Sequence, residues 1–216
     1  MSRVRGTAAY LALLLATHIA VFRLVSPATK DDILRAISTN LADMTWTAPL
    51  RLVGSALVAD TSGTILDNIL VIGLGIAVCL SALERRLGTL RAFSIFATAH
   101  VLVTLIVLAV VAVATHTGRY PDEIRYELDY GVSFGALGAI GAVTYLLPKW
   151  LRIPWAAIAV LYPLTAADWY GLLPDYSTLG HALSAATGVA LSWRIVRSAP
   201  ARARGDSGSG SGSPVT

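Results

Sequence analysis

The sequence predicts an all-α membrane protein built as a bundle of six transmembrane helices with an interfacial first loop. Apolar residues make up 55% of the chain and charged residues only 14%, and the mean hydropathy is +0.65. A water-soluble domain is rarely so apolar. Because each crossing takes about 20 residues, the 216 residues hold six spans with short loops and leave no room for a large soluble domain.

Six apolar segments of membrane length divide the chain. The first follows Arg3 and Arg5, and its apolar stretch is longer than that of an ordinary signal peptide, so we expect a retained helix. Cys79, the single cysteine, lies within the second segment, and we expect it to be a small packing residue rather than part of a redox or metal site. The predicted spans cover residues 7–25, 64–83, 90–115, 131–148, 154–170 and 178–195.

The first long connection, residues 27–63, is too polar to cross a membrane. Apolar residues nevertheless recur along it mostly three or four positions apart, which is the spacing of an amphipathic helix. We therefore expect this segment to lie in the outer membrane interface. The recurring residues are Ile33, Ile37, Leu41, Met44, Trp46, Leu50, Val53 and Leu57.

Charged residues differ between the two ends of the predicted helices. Six spans place both termini on one side, and that side carries the excess of Lys and Arg that is typical of cytoplasmic loops. The net charge of +4 therefore reflects membrane topology and does not indicate nucleic-acid binding. The bases on the cytoplasmic side are Arg3, Arg5, Arg85, Arg86, Arg91, Lys149, Arg152, Arg194, Arg197, Arg202 and Arg204. The acids on the opposite side are Asp31, Asp32, Asp43, Asp60, Asp122, Glu123, Glu127, Asp129 and Asp175.

The folded part of the chain is expected to end near residue 197. The Gly/Ser run from Gly205 to Ser213 cannot bury a core, so residues 198–216 are expected to form a disordered cytoplasmic tail. Residues 1–197 then form one six-helix transmembrane domain. We place it in the cell membrane, with both termini in the cytoplasm.

Two polar side chains lie inside apolar segments of membrane length. Ser133 is in the fourth segment and His181 is in the sixth, and each is predicted to lie about one turn below the outer surface. A hydroxyl and an imidazole in hydrocarbon are costly unless they find a partner, and together they can form a nucleophile and its base. Asn68 lies about one turn into the second segment, where its amide could donate to an oxyanion.

The same residues also have a purely structural interpretation. Membrane serines mostly pack helices together or bond to a carbonyl one turn earlier, and a histidine or an asparagine can do likewise. Small residues share the helix face of His181, namely Ser184 and Gly188. They predict that the fourth and sixth helices approach each other closely.

Several motifs, in order along the chain, resemble those of the rhomboid family of intramembrane serine proteases, and the resemblance covers about Leu50 to Gly188. The matching segments are Leu50-Arg51 for the Trp-Arg of the first loop, Asn68 for the Asn of HxxxN, and Glu84-Arg85-Arg86-Leu87-Gly88 for the segment after the second helix. Further along they are Gly131-Val132-Ser133 for the start of GxSG, and His181 with Gly188 for HxxGxxxG.

This resemblance implies six helices around a water-filled cavity that opens to the outside. It also implies that Ser133 is the nucleophile, His181 the general base and Asn68 an oxyanion donor, with no metal and no other cofactor. The departures from the family pattern are Thr64 for the His of HxxxN, Phe134 for the second Gly of GxSG, Ser184 for the first Gly after the histidine, and Leu50 for Trp. A threonine hydroxyl can still donate to an oxyanion, so Thr64 is retained as a weak donor.

These observations predict a rhomboid-like intramembrane serine endopeptidase that cleaves transmembrane substrates with a Ser133–His181 dyad. The alternative is a catalytically inactive rhomboid-like protein that binds membrane-helix clients, which the substitutions at Thr64 and Phe134 favour. In both interpretations the partners are the lipid bilayer and single-span or other membrane helices.

A third interpretation is a small transporter, because Asp67, His100 and Asp168 lie within or at the ends of predicted spans. Transporters commonly contain internal repeats, and none is evident here. We expect His100 to be a hydrogen-bonded packing residue. Asp129, four residues before Ser133, is expected to be a solvated carboxylate of the acidic loop and is kept out of the catalytic set.

Overall fold

The computed structural model describes residues 4–43, 47–59 and 64–198, without the side chains of the last four residues. Met44 and Trp46 of the predicted interfacial segment and the predicted tail after Ser198 lie outside these residues. Within them the chain is almost entirely helical, which confirms the all-α fold class.

Eight helices and one small hairpin make up the described chain. The hairpin joins the last two helices and consists of β1 (Trp169–Tyr170) and β2 (Leu173–Pro174), which are antiparallel. The helices are α1 (Arg5–Leu24), α2 (Pro27–Ile37), α3 (Ala48–Ser55), α4 (Ile65–Leu87), α5 (Thr89–His116), α6 (Ser133–Leu146), α7 (Lys149–Leu161) and α8 (Tyr176–Ser198). The helices contain π-helical or 3-10 stretches at Ala20–Leu24 in α1, Ile69–Leu80 in α4 and Val143–Leu146 in α6, and two further 3-10 stretches are Asp122–Tyr126 before α6 and Tyr162–Ala166 after α7.

Three helices are long and apolar enough to cross a membrane by length and composition, namely α1, α4 and α5. They support an integral membrane protein, and α6 is a shorter apolar helix. Helical segments also occupy the positions of the other predicted spans, but how many of them cross the bilayer stays a prediction.

The fifth predicted span begins earlier in the structure than the sequence pattern indicates. We expected it to cover residues 154–170, whereas α7 starts at Lys149, directly after Pro148, contains Pro154 and ends at Leu161, and residues 169–170 form β1. Pro148 lies just before the helix, so the helix is free to begin at the next residue. Pro154 then leaves one carbonyl of the helix without its usual N–H partner, which the helix tolerates.

The ends of the helices follow from local sequence. The Ser26 hydroxyl accepts a hydrogen bond from the Thr29 N–H at 3.2 Å and so caps α2. Thr64 and Asp67 form a reciprocal capping box at the start of α4. Gly88 separates α4 from α5 with φ of 86°, a conformation that residues with a Cβ adopt only with strain.

The first loop folds as two helices, as its apolar spacing predicts. Arg51 on α3 joins them, because its guanidinium donates to the backbone oxygens of Arg35 at 2.6 Å and Ser38 at 2.9 Å. Those oxygens lie at the end of α2, where carbonyl groups lack helical partners. Whether the loop lies in the membrane interface stays a prediction.

Helix α6 lies at the centre of the bundle and packs against its neighbours through glycine and alanine residues. A Cβ added to Gly75 of α4 would lie 2.7 Å from the Cβ of Ala136. A Cβ added to Gly188 of α8 would collide with the backbone oxygen of Gly138 and lie 3.0 Å from the backbone nitrogen of Ala142. The fourth and sixth predicted spans correspond to α6 and α8, so their predicted close approach is confirmed.

A buried carboxylate joins α1, α4 and α5 at the end of the bundle that is predicted to be cytoplasmic. Glu84 is 3% exposed. Its two oxygens accept from the Gly6 N–H at 2.9 Å, the Thr7 N–H at 2.8 Å, the Thr7 hydroxyl at 2.7 Å and the Thr89 hydroxyl at 2.6 Å. The two N–H groups belong to the first turn of α1, whose partial positive charge offsets the charge of the carboxylate.

We expect Glu84→Gln to lower the free energy of unfolding by roughly 3 kcal/mol, because an amide nitrogen cannot accept the bonds that a carboxylate oxygen accepts. Thermal unfolding in detergent measures the effect. Glu123→Gln, at an exposed position, is the matched control and should change the free energy by less than about 0.5 kcal/mol. Equal stability of the two variants would show that Glu84 does not join the helices.

Gly188→Ala should destabilise the protein by about 2 to 3 kcal/mol, because the methyl group requires α6 and α8 to separate. Gly73→Ala is the control, since a Cβ there meets only the Ile69 side chain at 3.9 Å. We expect Gly73→Ala to be neutral or to stabilise the helix by at most about 1 kcal/mol. A Gly188→Ala protein with unchanged thermal unfolding would contradict the packing described above.

Candidate active site

Ser133 is the first residue of α6. Gly131 precedes it with φ of 128°, a value that favours glycine, and the Gly131 N–H donates to the Ser55 backbone oxygen at 3.0 Å. The first N–H group bonded within the helix is that of Ala136, which donates to Val132 O at 3.0 Å. The N–H groups just before it have no acceptor inside the helix and could therefore bind an oxyanion near Ser133.

His181 lies in the second turn of α8, where its ring meets that of Phe134. The ring centroids are 5.5 Å apart and the planes make an angle of 78°, an edge-to-face arrangement that is favourable for aromatic rings. The Nε2 atom of His181 is buried and has no hydrogen-bond partner in the described chain. Burial of such an unpaired nitrogen costs about 1 to 3 kcal/mol of stability unless a ligand or a water molecule forms a hydrogen bond with it.

The structure brings Ser133 and His181 to the same end of the α6–α8 contact, because Phe134 follows Ser133 in the chain and touches His181. No hydrogen bond joins Ser133 to His181 within the residues that the structure describes. Catalytic hydrogen bonds are often long before substrate binds. The arrangement therefore permits a dyad, and its role stays a prediction.

The Phe134 side chain is part of the apolar core. It is 4% exposed and belongs to an apolar cluster at the end of the bundle that is predicted to face outward, called the outer end below. A Cβ at Gly180, one residue before His181, would collide with the Phe134 ring. The other buried members of the cluster are Val103, Val107, Val111, Ala114, Tyr120 and Ile124.

The hairpin extends this cluster over the outer end of α5. The Tyr120 hydroxyl donates to the backbone oxygen of Pro174, and the Tyr120 and Tyr170 rings meet edge to face with centroids 5.2 Å apart. Asp175 then starts α8, because its carboxylate accepts from the Thr178 N–H at 2.9 Å. These contacts fix the turn of α8 that carries His181.

Asn68 and Thr64 lie at the outer end of α4. The Asn68 amide donates to the Thr64 backbone oxygen at 3.0 Å, and the Thr64 hydroxyl donates to the Asp67 carboxylate at 2.7 Å. Gly75 packs on Ala136, and Asn68 lies farther from that contact than Ser133 does. Whether Asn68 is level with Ser133 stays a prediction.

A narrow polar crevice lies beside Ser133, between the first loop, the residues just before α6, and α5. Sequence reasoning did not find it, because its walls come from segments that are far apart in the chain. The residues with polar side chains that line it are Thr39, Ser55, His100, Thr104, Asp129, Tyr130 and Ser133.

His100 on α5 is a hydrogen-bonded packing residue, as expected. Its Nε2 atom lies 3.1 Å from the Leu52 backbone oxygen and 3.1 Å from the Ser55 hydroxyl. A carbonyl oxygen only accepts, so the bond to Leu52 requires that Nε2 carries the hydrogen. Ser55 and His100 therefore anchor α3 to α5, and this serine is not paired with a basic nitrogen.

Asp129 differs from the solvated carboxylate that the sequence indicates. Its carboxylate accepts from the Thr39 hydroxyl at 2.9 Å, its backbone oxygen accepts from the Thr39 N–H at 2.8 Å, and its own N–H donates to the Ser38 hydroxyl at 2.8 Å. Burial raises the pKa of the Asp129 carboxyl, and the hydrogen bond from Thr39 partly offsets this effect. The first loop thus holds Asp129 in place beside Ser133.

The other ionisable residues that drew attention in the sequence have local partners. Asp67 is exposed and caps α4, and the Asp168 backbone pairs with Asp175 next to the hairpin. Cys79 is buried as a free thiol. Within the described chain, no three His, Cys, Asp or Glu side chains are grouped as metal ligands would be.

Comparison with known proteins identifies a family. A family model described as rhomboid-like protein matches residues 1–201. No curated protein and no solved structure matches the chain. Because the family match covers most of the chain, the protein belongs to the rhomboid-like family.

Proposed function

We propose that this member of the rhomboid-like family is an intramembrane serine endopeptidase in which Ser133 is the nucleophile and His181 is the general base. The observation that carries the proposal is the buried, unpartnered Nε2 of His181 beside the helix that begins with Ser133. Buried ring nitrogens usually have a hydrogen-bond partner; Nε2 of His100 has one in the Leu52 oxygen, and the unpartnered nitrogen of that ring is Nδ1. His181 retains a nitrogen that can accept a proton.

The proposed reaction is acyl transfer from a peptide bond. The Ser133 oxygen attacks the carbonyl carbon while His181 takes the hydroxyl proton. The carbonyl oxygen becomes an oxyanion, which the free N–H groups of the first turn of α6 can stabilise. His181 then gives its proton to the leaving nitrogen, the C–N bond breaks, and water hydrolyses the acyl-enzyme.

The side-chain oxyanion donors come from the start of α4. Asn68 is the stronger candidate, because an amide nitrogen carries two hydrogens and the bond to the Thr64 backbone oxygen uses one of them. Thr64 is the weaker one, since its hydroxyl hydrogen already bonds the Asp67 carboxylate at 2.7 Å. One such donor is worth about 3 to 4 kcal/mol of the barrier, so the loss of a family histidine at this position predicts slow turnover.

The proposed substrates are membrane helices that can unwind near the outer surface. A helical peptide bond is shielded by its own hydrogen bonds, and in lipid those bonds are not exchanged for water. Small or helix-breaking residues near the cleavage site therefore favour cleavage.

The second candidate function is recognition of membrane-helix clients without cleavage. The observation that favours it is the contact between Phe134 and His181, which holds the imidazole against an apolar ring. In this case the outer end of α6 and α8 still binds an unwound client segment, but no acyl-enzyme forms.

A fluorophosphonate serine probe should label the purified protein in detergent. Ser133→Ala should abolish labelling, and His181→Ala should slow it by at least about 100-fold, because the base that activates the serine is lost. Mass spectrometry of the labelled peptide should locate the adduct on Ser133.

Two matched controls accompany these variants. Ser94→Ala and His116→Ala alter exposed residues of α5 and should retain full labelling. Absence of labelling in a protein that shows a cooperative thermal transition would exclude an activated Ser133 and would favour client recognition.

A further inference from the structure

We propose that Thr39 of the first loop is a positioning residue for the nucleophile: through Asp129 it holds the turn that precedes α6 and so fixes the place of Ser133. This inference rests on the proposed function, since it adds a residue to the same site. It follows from the hydrogen bonds between the first loop and residues 129–131 and from the backbone conformation of those residues.

The start of α6 receives little support from the helix itself. Ser133 is the first residue of α6, and the first N–H group bonded within that helix is that of Ala136. Helix ends of this kind fray unless other groups hold them. The place of Ser133, and of the N–H groups proposed to bind the oxyanion, therefore depends on what holds residues 129–132.

Thr39 holds both the backbone and the side chain of Asp129. The Thr39 N–H donates to the Asp129 backbone oxygen at 2.8 Å. The Thr39 hydroxyl hydrogen is shared between the Asp129 carboxylate at 2.9 Å and the same backbone oxygen at 3.1 Å. Thr39 is 1% exposed, so water cannot readily replace these bonds.

Two further bonds extend this contact along the turn. The Asp129 N–H donates to the Ser38 hydroxyl at 2.8 Å, and the Gly131 N–H donates to the Ser55 backbone oxygen at 3.0 Å. Gly131 has φ of 128°. Glycine adopts positive and negative φ about equally readily, so its own sterics do not select this conformation. The bonds from the first loop on either side of Tyr130 select it instead.

The first loop is itself anchored, which makes it a fixed support for the turn. The Arg51 guanidinium donates to the Ser38 backbone oxygen at 2.9 Å, next to Thr39. Nε2 of His100 on α5 bonds the Leu52 backbone oxygen at 3.1 Å. The loop therefore ties the turn before α6 to α5.

In the proposed reaction Thr39 exchanges no proton and touches no reacting atom, so its contribution is the place that it gives to Ser133. A displacement of about 1 Å between reacting groups can slow a reaction by about 100-fold. Loss of the Thr39 hydroxyl would widen the range of positions of Ser133 without changing the groups that react.

The test measures the rate of fluorophosphonate labelling of the full-length protein in detergent, at a temperature at which every variant is folded. Thr39→Val keeps the shape of the side chain and removes the hydroxyl, and we expect it to label about tenfold more slowly than the unaltered protein. Thr39→Ser restores the hydroxyl and should recover most of the rate. If Thr39→Val does not fold, Ser38→Ala removes the acceptor of the Asp129 N–H and should also slow labelling, by a smaller factor.

Two controls separate positioning from stability. Glu84→Gln destabilises the opposite end of the bundle, and Thr29→Val alters an exposed threonine of the same loop; both should label at the normal rate. Hydrogen exchange provides a second readout. The amides of residues 129–135 should exchange faster in Thr39→Val than in the unaltered protein and should be unchanged in Glu84→Gln.

Normal labelling of Thr39→Val, beside Ser133-dependent labelling of the unaltered protein, would overturn the inference and leave the proposed function intact. Equally slow labelling of Thr39→Val and Glu84→Gln would assign the effect to stability and would also overturn the inference. No labelling of the unaltered protein would overturn the proposed function and, with it, the positioning role of Thr39.

Discussion

The candidate site depends on the close contact between α6 and α8, where glycine and alanine bring two backbones together. A Cβ on Gly141 would lie 3.0 Å from the Cα of Ala185 and would collide with its carbonyl group, and Gly188 meets α6 in the same way. Such a contact permits little sliding, because side chains elsewhere in the interface would have to repack. Because α6 and α8 cannot slide far past each other, Ser133 and His181 stay at the same end of the bundle.

The opposite end of the bundle is held by Glu84, so the two ends differ in how they are stabilised. At the end that is predicted to be cytoplasmic, the Glu84 carboxylate accepts hydrogen bonds from backbone N–H groups at the start of α1 and from the Thr89 hydroxyl at the start of α5. At the outer end the contacts come from loops, among them the bonds between Thr39 and Asp129. Loop contacts usually open at lower free energy than a packed helical core, which is consistent with the proposed entry of another membrane helix at this end.

The sequence predicts the long helices well, because they depend on local patterns of apolar residues. Apolar segment length located the long helices, and small residues beside His181 indicated the contact with α6. The crevice was not predictable, since Thr39 and Asp129 lie 90 positions apart and nothing in either segment indicates that they meet. The predicted start of the fifth span was also wrong, because proline is favoured at the first position of a helix, whereas Pro154 lies inside α7.

Phe134 shows how a departure from a family pattern can be compensated on a neighbouring helix. The family motif has glycine at this position, and here the bulk of the ring is accommodated because residue 180 is a glycine. The ring then lies against His181 and is covered by the outer apolar cluster. The imidazole is held in place by packing, while its Nε2 stays unpartnered. Packing orients His181 and leaves its Nε2 without a partner, whereas His100 is oriented by the hydrogen bond from its Nε2 to the Leu52 oxygen.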